Sequence, residues 1–272
     1  MRNNKPLLFA TMGAAGGALG ALAGELVPHF ATGIVTHALF TGAWSATFAA
    51  TLTVFLVWAG EIHRRGPRPS AAMLRKALVS GAIAGAIAGA IAQAVYSVQI
   101  DSSFIREFVF KPLCWGLMGI LLGWKFSTTV PNLGFRRGAI GGAVGGIVGG
   151  IGFVATAMYV PEALGRMVGV GVLGLALGLA IVTAETLFRA AALEVIWGPK
   201  ETMTVTLGDR PVTIGGGDDH VFLPDLGQSI ASVGLSQGKI YYTEKASGKR
   251  TELRDGSRLE IGKVTVVVRA RK

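Results

Sequence analysis

The amino-acid sequence predicts a two-part membrane protein: an α-helical transmembrane bundle of six helices over residues 1–189, a juxtamembrane linker at 190–201, and a small all-β sandwich at 202–272. Three observations carry that expectation. Only 15% of the 272 residues are charged, where a soluble domain has about 25%. The chain holds 40 glycines, and those of its first part interleave with aliphatic residues instead of gathering in polar tracts. After Arg189 the pattern changes to short alternating runs separated by glycine and aspartate turns.

The glycines explain how such a bundle holds together. At helical spacing Gly138, Gly142, Gly146 and Gly150 form one row and Gly141, Gly145 and Gly149 another, so two adjacent stripes carry no side chain. In water each interior glycine costs a helix about 1 kcal/mol against alanine. In hydrocarbon an unfolded backbone leaves its N–H and C=O groups unsatisfied, so the helix forms regardless. Bare stripes then let neighbouring helices approach, and van der Waals packing replaces the hydrophobic force that lipid does not supply. Gly81, Gly85 and Gly89 form a matching row, and these seven positions (81, 85, 89, 138, 142, 146, 150) are the expected helix-packing sites.

Taken in order, residues 7–27 are a first apolar span behind a basic start. Ala21-Leu22-Ala23 also fits a signal-peptide cleavage site, whereas Gly13, Gly16, Gly17, Gly20 and Gly24 repeat the later glycine spacing and favour a retained helix. Residues 34–60 exceed the about 20 needed to cross a bilayer. They lead into a basic, proline-broken loop at 61–70. Residues 77–98 return, and 99–111 are amphipathic enough to lie at the outer interface. The remaining spans are 112–126, 138–159 and 167–188.

Charge supports this alternation. The net charge of +10 raises nucleic acid as a partner, but eleven of the 14 Lys and Arg before residue 200 fall on one side and only Arg106, Lys111 and Arg166 on the other. That is the positive-inside pattern; it makes a nucleic-acid partner unnecessary and puts both termini in the cytoplasm of an inner-membrane protein. The pair Arg75-Lys76 also precedes Gly81, Gly85 and Gly89 at the offset by which Arg136-Arg137 precedes Gly142, Gly146 and Gly150. Gly116, Gly119 and Gly123 share their spacing with Gly171, Gly174 and Gly178. The expectation is three hairpin-like repeats, with 1–60 as the most diverged.

In the tail, the runs 202–206, 211–214, 239–243 and 264–268 read as strands. Val212-Thr-Ile-Gly215, Asp218-Asp-His-Val-Phe-Leu-Pro-Asp225, Gly238-Lys-Ile-Tyr-Tyr242 and Leu253-Arg-Asp-Gly-Ser-Arg-Leu-Glu-Ile-Gly262 together resemble a forkhead-associated (FHA) domain. The whole chain resembles bacterial proteins that join a six-span, glycine-rich region to a C-terminal FHA domain. The resemblance implies partner-binding loops at one end of the sandwich, here Gly216, Gly217, Asp218, Ser229, Ser232, Lys249 and Arg250. It also implies a degenerate site. Gly216 stands where the family has an arginine, and of the family's Ser-Arg-x-His loop only Ser229 remains in Ser229-Ile-Ala-Ser232. Without that guanidinium a bidentate phosphate contact is lost, so ordinary phosphothreonine recognition is not expected.

No catalytic constellation stands out. The four histidines are scattered, the lone Cys114 lacks a metal-ligand partner, and Gly215-Gly-Gly-Asp218 is not followed by the Lys-Ser/Thr of a phosphate loop. No metal, cofactor or enzymatic activity is expected. The expectation is a non-catalytic membrane scaffold or receptor, lipid around it and a cytosolic protein partner on its FHA-like module. The alternative is a channel or transporter with a regulatory domain, and homo-oligomerisation through the glycine faces is a third reading.

Overall fold

The computed structural model describes residues 4–28, 33–64, 69–97, 102–127, 134–160, 162–187, 189, 191–198, 201–208, 210–217 and 219–270. The helical part comprises α1 (Lys5–Gly24), α2 (Ile34–Arg64), α3 (Ala71–Tyr96), the short α4 (Ser103–Ile105), a π-helical turn (Arg106–Phe110), α5 (Lys111–Ser127), α6 (Phe135–Ala157) and α7 (Glu162–Leu187). Polar caps set several starts: the Leu7 amide donates to the Asn4 side chain (3.1 Å) and the Met73 amide to Ser70 Oγ (3.2 Å). The interface segment expected at 99–111 is α4 and the π turn running straight into α5; residues 99–101 lie outside the described residues.

Among the described residues, five helices are long and apolar enough to cross a membrane: α1, α2, α3, α6 and α7. The fourth expected span, α5, has 17 residues. At 1.5 Å per residue that is roughly 25 Å, short of the ~30 Å hydrocarbon thickness.

The six long helices close into a ring in which each packs on its neighbours in sequence and α7 returns to α1, the α3/α5 contact being the least extensive. Glycine lies at the tightest approaches, and one pattern recurs in three seams. A Cβ at Gly13, Gly81 or Gly142 would strike the carbonyl of Gly174, Ala49 or Gly119. One turn further, a Cβ at Gly17, Gly85 or Gly146 would strike the carbonyl of Val170, Ser45 or Trp115. Gly138 faces the Gly123 carbonyl, Gly150 faces Trp115 and Pro112, and Gly89 faces Ser45. Phe9, Phe48, Leu52, Leu173, Leu177 and Ile181 fill the interior, while Ile83, Ile87, Ile140, Val144, Val148 and Leu175 are exposed on the outside.

The segment expected as a linker at 190–201 is not one. Ala191–Gly198 is strand β1, the second strand of a four-stranded antiparallel sheet ordered β2-β1-β9-β8, with β2 at Glu201–Leu207, β8 at Arg258–Ile261 and β9 at Val264–Ala270. Alternation explains it: Ala191, Leu193 and Val195 point into the β core, and Leu193 pairs with Val205 and Val268. The second sheet runs β4-β3-β5-β6-β7: β3 (Val212–Gly215), β4 (Val221–Phe222), β5 (Ala231–Ser236), β6 (Lys239–Glu244) and β7 (Arg250–Leu253). Both sheets contribute to one buried cluster that includes Leu193, Val195, Ile214, Val233 and Val266. The β5–β6 hairpin turns through Gln237-Gly238, both with positive φ (51° and 76°), the geometry that two-residue hairpins require.

A buried carboxylate joins the two parts. Glu185, near the end of α7, accepts from Lys5 Nζ at the start of α1 (2.6 Å) and from Thr206 Oγ1 on β2 (3.0 Å).

Candidate functional site

The β part gathers most of the sequence-predicted partner-binding residues at one end of its second sheet. The Lys245 amide donates to the Ile230 carbonyl (2.9 Å), which holds the β6–β7 turn, with Lys249, against the loop carrying Ser229. Gly216 and Gly217 lie at the end of β3, where the Gly216 amide donates to the Gly227 carbonyl (2.9 Å). Ser232 and Arg250 sit along the sheet: Ser232 pairs with Thr213 and Thr243, and Thr243 with Arg250. The Arg250 guanidinium stacks 3.7 Å from the centroid of Tyr241. Asp218 lies outside the described residues.

Two features there are invisible in the sequence. A Cβ at Gly216 would strike the Leu226 carbonyl, so the backbone at 216 leaves no room for any side chain, an arginine included. The neighbouring Asp219 is buried, and its carboxylate accepts from the Ser229 amide (2.5 Å) and hydroxyl (2.6 Å). Ser229 has φ +50°, uncommon for a non-glycine residue, and the two charge-assisted bonds hold it there. The loop is thus closed on its own carboxylate, which opposes an incoming anion at Ser229.

His220, which carried no role in the sequence reading, adjoins this loop. Its Nδ1 accepts from the Thr213 amide (3.0 Å), and its own amide donates to Thr213 Oγ1 (3.3 Å). Burial lowers its pKa from the ordinary histidine value, the nearby Arg64 guanidinium of α2 lowers it further, and Asp219 works the other way. The charge of Arg64, at the end of α2, thus reaches the β part, where Glu185 of α7 makes a hydrogen bond.

The opposite end of the ring holds a cavity of about 520 Å³. Trp44, Trp115 and Phe153 form aromatic walls, with Trp115 and Phe153 ring centroids 5.3 Å apart. Its rim is polar. Glu25, just beyond α1, takes a bidentate pair from Arg166 of α7 (Nε 2.8 Å, Nη2 2.7 Å). Thr41 donates to Gln93 (3.0 Å), and Lys111, paired with Glu107, lies 6.0 Å from the Tyr96 ring centroid. Among the described residues no group of His, Cys, Asp and Glu is close enough to hold a metal ion.

Neither a family model, nor a curated protein, nor a solved structure matches the chain.

The glycine packing positions all lie in helix seams, as described above. The cavity was missed because its members are dispersed: Glu25 and Arg166 are 141 positions apart. The only signal available was the placement of Glu25, Gln93, Lys111 and Arg166 near the ends of spans on a common side.

Proposed function

We propose that the chain is a non-catalytic integral membrane scaffold or receptor. Its six helices are three copies of one hairpin in the bilayer, and its FHA-like module, on the arginine-rich cytoplasmic side, holds a protein partner. The observation that carries this reading is the apolar exterior of the helical part: isoleucine, valine and leucine face outward, while backbone meets backbone in the helix seams. In water such an apolar exterior is a liability; in lipid it is the solvated surface. The three-copy reading rests on the shared register of the Gly13/Gly174, Gly81/Ala49 and Gly142/Gly119 contacts and of the next turn in each seam. The partner reading rests on the exposed Lys249 and Arg250 beside a loop already closed by Asp219. This favours an acidic or hydrogen-bonding protein surface over a phosphothreonine.

The alternative of a channel gains no support from the interior, where Phe48, Leu52, Leu173 and Leu177 are fully buried below the cavity. The test uses the full chain. It is expected to resist alkaline extraction from membranes and, in detergent, to capture a protein that a Lys249→Glu/Arg250→Glu double variant releases. Extraction into the aqueous phase would end the membrane reading, and equal capture by the double variant would end the assignment of those loops.

A further inference from the structure

We infer that the cavity at the end of the ring away from the β part binds a single-chain anionic amphiphile. Its carboxylate or phosphate head lies against Arg166 and Lys111, and its apolar body between Trp44, Trp115 and Phe153. This goes beyond the scaffold reading and does not depend on what the β module binds.

Size comes first. About 520 Å³ is within the roughly 300–1,000 Å³ of small-molecule sites, which are mostly apolar with a few fixed polar groups. The walls are rigid aromatics: Phe48 packs edge-on to Trp115 (6.0 Å between centroids), and Trp115 rests on Phe153 (5.3 Å). Such surfaces give up little conformational freedom when an apolar chain lies on them. Deeper in, Gly89, Ala92 and Met118 present no charge, so a second charged head would find no counter-charge there.

Donors decide the head. Two cations, Arg166 and Lys111, line the cavity, each paired with a carboxylate, Arg166 with Glu25 and Lys111 with Glu107. The rim thus sets two charged donor groups beside an apolar interior, where charge interactions are stronger than in water. A guanidinium has five donors in a planar fork and an ammonium three, so each can serve its present carboxylate and a second oxygen anion together. A trimethylammonium head of the same chain length accepts no hydrogen bond from either cation and could reach Glu25 or Glu107 only by displacing Arg166 or Lys111.

The test puts the full chain in nanodiscs of zwitterionic lipid. Tryptophan quenching is read with three terminally brominated dodecyl probes: the carboxylate, the phosphate and the trimethylammonium. The expected result is saturable quenching by at least one anionic probe, lost when Trp44 and Trp115 are both replaced by phenylalanine. The trimethylammonium probe should quench no more than partitioning into the disc explains. Arg166→Gln should weaken anionic binding at least tenfold. Because that change also breaks the pair with Glu25, Lys111→Gln, which leaves Glu25–Arg166 intact, must weaken it as well. Ala92→Phe should block it by filling the space. A preference for carboxylate identifies a fatty-acid-like ligand, and a preference for phosphate a lysophospholipid-like one. Quenching that never saturates, that the cationic probe matches, or that survives both Ala92→Phe and Lys111→Gln overturns the inference.

Discussion

The two parts of this chain bring their elements together in different ways. In the β part, side chains go inward: Leu193, Val195, Ile214, Val233 and Val266 are fully buried between two sheets. In the helical part much of the inward surface is backbone, with Gly142 against Gly119 and Gly13 against Gly174, and many aliphatic side chains stand outside. The difference teaches which force holds each part. The β core draws on the removal of apolar area from water, about 25 cal/mol per Å². The glycine seams draw on close contact between helices, which fails if anything is inserted. The two parts should therefore break at different kinds of site: added volume at a glycine seam opens one, and removed volume in the sheet core weakens the other.

The largest effect is expected for Gly142→Leu. A Cβ there meets the Gly119 carbonyl and, behind it, the Cα of Gly123, both backbone atoms that cannot rotate away. Helix propensity favours the change by under about 1 kcal/mol, far less than the cost of separating two helices. The variant should not yield a monodisperse peak in detergent, whereas Gly33→Ala, with nothing within 4 Å of the added atom, should behave as wild type. Size-exclusion and thermal-shift measurements read both. If Gly142→Leu folds normally, the backbone-contact account of the helical part is wrong.

Next in size is Leu193→Ala in β1, the reverse operation in the other part. A fully buried leucine replaced by alanine typically costs about 2–5 kcal/mol. It should lower the unfolding midpoint of the β part, followed in the full chain by the fluorescence of Trp197 with the other tryptophans replaced. The same logic predicts that a fragment beginning at residue 202 does not fold, because it lacks a strand hydrogen-bonded to both β2 and β9. A folded 202–272 fragment would return 190–201 to the status of a linker.

What the sequence made legible follows from this contrast. Glycines four apart announce their own helix face and α2 is announced by its apolar length, so all six long helices were expected near their observed positions. The partner of each glycine row depends on the ring order, which no local pattern carries. The strands with strong β-branched alternation, Val264–Ala270 and Lys239–Glu244, were readable. Strand β1 was not: Ala191-Ala-Leu-Glu-Val-Ile-Trp follows an apolar helix closely and reads as its interfacial end until the burial of alternate residues is known. Of the loop residues, Gly216, Ser229 and Lys249 lie at one end of the sheet, whereas Arg250 lies along it. The Asp219–Ser229 closure depends on chain geometry across ten residues, and the cavity on residues scattered from 24 to 166.

The boundary between the parts sharpens the comparison at a smaller scale. Glu185 is held by an ammonium from the helices and a hydroxyl from the sheet, so it belongs to both. Glu185→Gln keeps the shape but leaves Lys5 without its counter-charge in a half-buried place. The expected cost is about 1–3 kcal/mol, toward the low end because Lys5 is partly exposed to solvent. Helix and sheet should then melt at separable temperatures, seen as two transitions in circular dichroism at helical and sheet wavelengths. One unchanged transition would mean that the contact does not couple them.

The smallest effect concerns His220, beside Arg64 at the same boundary. Its folded pKa is lowered, first by burial and then by the Arg64 guanidinium, from an ordinary value of 6.5. Above that value the imidazole is neutral in both folded and unfolded chains, so it adds no pH dependence. As pH falls below it, the unfolded chain takes up the proton first, and stability declines until the folded-state pKa is passed. The loss is therefore confined to mildly acidic pH, the opposite of a histidine stabilised by a carboxylate. Asp219 opposes the shift and Arg64 reinforces it, so Arg64→Gln should reduce the acid sensitivity without abolishing it, since burial remains the first cause. His220→Gln should remove it. Unfolding midpoints of the three proteins between pH 7.5 and 5, on the scale of ordinary histidine titration, should converge at the alkaline end after correction for the constant cost of each substitution. Parallel pH profiles for wild type and His220→Gln would show that the imidazole charges freely and that the Thr213 amide does not hold Nδ1 as an acceptor.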